Sequence, residues 1–124
     1  MGASTVKEAW DTLQGEFQGT IKVRTVKLQK LRRDFENLKM KDNETVKSYY
    51  SRIKEIGNKM GVYGEIIYEK KIVEKILISC TEKYDAIISL IEETKDLETL
   101  SPIELMGSLE AYKRRRERND ENST

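Results

Sequence analysis

The stretch Lys27-Leu28-Gln29-Lys30-Leu31-Arg32-Arg33-Asp34-Phe35-Glu36-Asn37-Leu38 decides the fold, because Leu28, Leu31, Phe35 and Leu38 recur at alternating steps of three and four. That period belongs to a helix with one apolar side; a strand would alternate every second residue. Basic residues occupy most of the other faces. A three/four line of this kind either packs within its own chain or pairs helices between chains. The intramolecular seam is the expectation here, and a helix-pair dimer interface is the alternative.

Upstream, Thr5 and Glu8 form a capping box ahead of Ala9, Trp10, Leu13 and Phe17 at helical spacing, and Gly19 is expected to end this first helix. The helix of the opening stretch then runs from about Thr20 to Lys41. Downstream, Asp42-Asn43-Glu44 reads as a turn, and Thr45 caps a third helix whose apolar stripe is Val46, Tyr49, Tyr50, Ile53, Ile56 and Met60. Gly57 weakens its end, and Gly61 and Gly64 stop it. Two more helices are expected, from about Tyr68 to Ser79 (Ile72, Val73, Ile76, Leu77) and from about Glu82 to Thr94 (Tyr84, Ile87, Ile88, Ile91). Their β-branched content suggests strands, but the spacing of three and four decides against it. A sixth helix starts at Ser101-Pro102 with Glu104 completing a capping box, and carries Leu105, Met106, Leu109 and Tyr112. No period of 20 to 50 residues repeats, which argues against a solenoid.

The expectation is therefore an all-α chain of about six helices. Residues 1–4 read as an extension, 5–112 as the helical domain, and 113–124 as a basic tail that frays. Length allows one domain or two small lobes: there are 124 residues, 37% of them apolar and 36% charged, so the core is thin. With no His and one Cys, the chain holds no zinc knuckle, no His-based general acid or base and no internal disulfide. No apolar run is long enough to span a bilayer, so no membrane partner is expected. The first 19 residues are too polar for a signal or transit peptide, and Val6 stands where a myristoylation pattern wants Ser or Thr. The cytoplasm is the expected compartment, with the nucleus as the alternative.

Several segments together resemble a known family. Lys7-Glu8-Ala9-Trp10-Asp11-Thr12-Leu13, the stretch from Lys27 to Met40, Val46-Lys47-Ser48-Tyr49-Tyr50-Ser51-Arg52, Val73-Glu74-Lys75-Ile76-Leu77, Ile91 to Leu97 and Leu105 to Tyr112 are similar, in one collinear register, to the Gag polypeptide of plant copia-type LTR retrotransposons. The resemblance implies a retroviral-capsid-like helical bundle that self-associates into the shell of a virus-like particle around RNA. Such polypeptides normally grip RNA with a Cys-Cys-His-Cys knuckle, which these residues do not contain. Where the family often has Ser-Leu-Pro, this chain reads Ser79-Cys80-Thr81, so a softer helix break is expected there, with domain swapping as a consequence.

Self-association, as a dimer or larger or with a full-length Gag, is the leading expectation, with Trp10, Leu13, Phe17, Leu28, Leu31 and Phe35 as the residues to carry it. For Trp10, Leu13 and Phe17 a place in the core is the competing expectation, since large aromatics at helical spacing usually face inward. An RNA-binding role is the second reading. Residues 20–41 hold eight Lys/Arg against two Asp/Glu. Arg24, Lys27, Lys30, Arg32, Arg33, Arg114, Arg115 and Arg116 would supply non-specific phosphate contacts. A solvated basic face competes with it, because no aromatic lies between these positions to stack bases. A third reading is a monomeric interaction domain that caps full-length Gag. No catalytic residue, metal site, cofactor or small-molecule substrate is expected: Glu92 and Glu93 point apart on their helix, and Cys80 lacks a His or Cys partner.

Overall fold

The computed structural model describes residues 2–122, with side chains from residue 5 onward. Among these the secondary structure is helical: α1 (Gly2–Asn37), α2 (Val46–Val62), α3 (Glu69–Ser79), a 3-10 turn (Glu82–Tyr84), α4 (Asp85–Thr94) and α5 (Pro102–Asn122). Five α-helices thus stand where about six were expected. The two N-terminal ones are a single helix of 36 residues. Gly19 does not end the first helix, because a lone glycine inside a helix costs only about 1 kcal/mol and no proline or positive φ accompanies it. Since the helix starts at Gly2, Thr5 is not its cap.

The later boundaries follow local chemistry. Thr45 accepts the Ser48 N–H at 3.0 Å and Ser101 accepts the Glu104 N–H at 3.1 Å, as the capping signals require. Gly64 turns the chain after α2 at φ +91, where a side chain is both strained and obstructed, since a Cβ would lie 2.5 Å from Arg24 Nη2. The break after α3 is sharp despite its missing proline, which corrects the softer break expected at Ser79-Cys80-Thr81. Cys80 and Thr81 are both extended, and the Met40 N–H donates to the Ser79 carbonyl, closing the helix end from a distant loop.

The core belongs to the C-terminal two-thirds of the chain. α5 lies at its centre, in contact with α2, α3, α4 and the 3-10 turn, and its Leu105 and Leu109 are wholly buried. Around them pack Val46, Tyr49, Ile53 and Met60 of α2, Ile72, Val73 and Ile76 of α3, Tyr84, and Ile88 and Ile91 of α4. Tyr49 is anchored at its tip, where the hydroxyl meets Ser79 Oγ and donates to the Leu38 carbonyl at 3.1 Å. The Tyr84 hydroxyl, equally buried, meets no donor or acceptor among the described residues. Residues 113–122, expected to fray, are helical; Arg116 donates to the Lys83 carbonyl at 2.7 Å, and Lys113 pairs with Glu117 one turn on. Met1, Ser123 and Thr124 lie outside the described residues.

Candidate functional site

At 100° per residue, Val6, Trp10, Leu13, Phe17, Ile21, Arg24, Leu28, Leu31 and Phe35 fall within a band of about 80° on α1. One seam therefore runs nearly the whole helix. Its last third is covered: Phe35 is 3% exposed, and Leu28 and Leu31 pack against the core cluster. Its first two-thirds are bare, with Trp10 60% and Phe17 67% exposed and Val6, Leu13 and Ile21 open beside them. The expectation that Trp10, Leu13 and Phe17 lie in the core is thereby corrected. Periodicity identifies an apolar face, but the α2 that would cover it turns away at Gly64, opposite Arg24.

Arg24 marks the boundary. Its Nε donates to the Tyr63 carbonyl at 2.8 Å, Lys27 Nζ sits 5.5 Å above the Tyr63 ring, and Arg32 pairs with Glu65 at 2.7 Å. These three cations clamp α1 to the turn after α2. All three remain exposed to solvent, and each also has a partner within the chain. Lys30 and Arg33 are exposed, as are Arg114 and Arg115 beside Arg116 on α5. The two basic segments lie on different helices, α1 and α5, both of which pack on α2.

Farther along, the end of α1 is fixed by groups that the periodicity did not reveal. Lys75, 7% exposed, donates from Nζ to the Glu36 carbonyl at 2.8 Å and lies 5.7 Å from the Phe35 ring centroid, with Lys71 equally close. Burial pushes the Lys75 ammonium below its ordinary pKa, while the helix C-terminal carbonyl and the ring face offset the desolvation. In the α1–α2 turn, Arg52 grips Glu44 with a two-pronged contact at 2.7 and 2.5 Å and donates to the Lys39 carbonyl at 2.8 Å. Arg52 is the main reason that the Glu44 carboxyl is held down to about 2; burial opposes this, and the Lys41 N–H adds to it. The Asp42-Asn43-Glu44 turn and the Thr45 cap hinted at this cluster. The partner eight residues on did not stand out.

No group of three or more His, Cys, Asp or Glu able to hold a metal occurs among the described residues, and no described helix is long and apolar enough to cross a membrane. Burial pushes the Cys80 thiol up to about 12, far from a reactive thiolate. Residues 1–122 match the family model described as the gag-polypeptide of LTR copia-type. The chain belongs to the copia-type Gag family. As a copia-type Gag domain it falls in a family whose role is in general structural, of capsid type, and non-catalytic. Comparison with curated proteins and with solved structures returns no match.

Proposed function

We propose that this copia-type Gag domain is a capsid-like bundle that self-associates through the free face of α1, as one subunit of a virus-like particle shell. The bare row Val6, Trp10, Leu13, Phe17 and Ile21 carries this reading, because it continues a seam whose other third is already a packed interface. Exposed aromatics in a row on one helix face are the usual anchors of association.

The helix itself supports the same conclusion. Five of residues 20–26 (Thr20, Ile21, Val23, Thr25 and Val26) are β-branched and weak helix formers, and Gly15 and Gly19 weaken the segment further. Thr12, Thr20 and Thr25 each bond back to the carbonyl four residues earlier, at 2.9 to 3.0 Å, an arrangement that does not strengthen a helix. A helix of this composition, without tertiary contacts, is marginal in water. A partner along its apolar face supplies what the sequence withholds. The RNA-binding reading has less to stand on, since Arg24, Lys27 and Arg32 are held by Tyr63 and Glu65.

Light scattering after size exclusion tests the proposal. The chain is expected as a dimer or larger, and Trp10→Asp should weaken association by about 100-fold, the loss typical of a central aromatic anchor. Its fold should survive, because Trp10 touches none of the core. A strict monomer at high concentration, or a Trp10→Asp variant of unchanged mass, overturns the reading.

A further inference from the structure

Resting on that reading, we infer that the free face of α1 meets the same face of a second copy in antiparallel orientation, with the two folded lobes at opposite ends of a two-helix shaft. The contact is isologous, so it closes at two copies, and a shell joins such pairs through a further contact elsewhere on the chain.

The first reason is steric. The lobe of each copy already occupies the seam from Arg24 to Phe35, through Tyr63, Glu65 and the packing of Leu28 and Leu31. In a parallel pair the seam faces turn toward each other at equal heights, and both lobes would need the same space between the shafts. Antiparallel pairing removes the conflict, since the bare part of one seam lies level with the bare part of the other.

The second reason is register and area. A crossing point near Gly15 brings Leu13 against Phe17 and Trp10 against Ile21 and puts Val6 level with Arg24, so the bare rows of the two copies cover each other over their whole length. At ordinary side-chain areas, the exposed fractions of the five apolar residues amount to on the order of 500 Å² per copy. The pair then buries about 1,000 Å² or more, the lower bound for a specific interface.

Spin-label distances decide the orientation. In a Cys80→Ser background, which removes the one native thiol, labels are placed at Lys7→Cys and, separately, at Gln14→Cys. Both positions flank the seam and are exposed. The expected result is a distance of about 25 Å or more between Lys7 sites, which lie ~16 residues apart along the shaft, with a much shorter one between Gln14 sites near the crossing. Mass should reach twice that of the chain before any larger species appears. Short distances at both sites overturn the antiparallel arrangement while leaving self-association intact. Assembly that passes from one copy to three or more with no pair between overturns the closed contact. A monomer overturns the inference together with the reading beneath it.

Discussion

The two parts of α1 have almost the same apolar spacing and opposite surroundings. Leu28, Leu31 and Phe35 pack on the lobe, while Trp10, Leu13 and Phe17, on the same face two turns or more away, meet solvent. Helical period decides which side is apolar; what covers that side depends on where the neighbouring helix turns. Here α2 is 17 residues long and ends at Val62, two residues before a glycine with positive φ turns the chain, so its reach stops at Arg24. The same pattern is therefore core in one half and free surface in the other.

Replacing the aromatic in each half separates them most sharply. Phe35→Ala should cost about 3–4 kcal/mol in urea denaturation, as a buried aromatic does. Phe17→Ala should change the stability of the dilute, dissociated chain by no more than about 0.5 kcal/mol, and its loss should appear only in association. Equal losses in both variants at low concentration would erase the distinction.

The turn that brings α2 back onto α1 gives the next effect. Its Glu44 carboxyl sits about 2 against an ordinary value of 4.5. A lowered folded value contributes stability above pH 4.5 and loses it as pH falls toward 2. Glu44→Gln should therefore cost about 2 kcal/mol at neutral pH and flatten the acid limb of the stability curve between those limits. An unchanged acid limb would place the stabilisation elsewhere.

The smallest effects come from two buried tyrosines within the lobe. Tyr49→Phe should cost about 1–2 kcal/mol, since it strips the Leu38 carbonyl and Ser79 of a partner. Tyr84→Phe should be neutral or stabilising by up to about 1 kcal/mol, because its hydroxyl is buried without one. Thermal melts of the two variants resolve the difference, and a reversed order would contradict the packing described for them.

Much of this was legible in the sequence. The Thr45 cap, the Ser101-Pro102 start and the Gly64 stop are local devices, and each stands where its residues indicate. The stripes of α2 to α5 likewise became the core. Non-local causes were not legible. Gly19 reads as a stop but lies in open helix, and the break at Cys80 needs no proline because Met40, nearly forty residues earlier, closes it. Trp10, Leu13 and Phe17 stood out correctly as a row, but nothing within the row says that α2 ends before reaching it. The cations on α1 illustrate the same limit: their clustering is visible, whereas the Tyr63 carbonyl and Glu65 that hold three of them follow from the fold.

The central claim is that residues 6–22 of α1 are held by another copy of the chain and residues 28–36 by their own lobe. Amide hydrogen exchange across a wide range of protein concentration measures this directly. Protection of 6–22 should rise with concentration while that of 28–36 stays constant. Protection of 6–22 that is the same at every concentration, high or low, would contradict it.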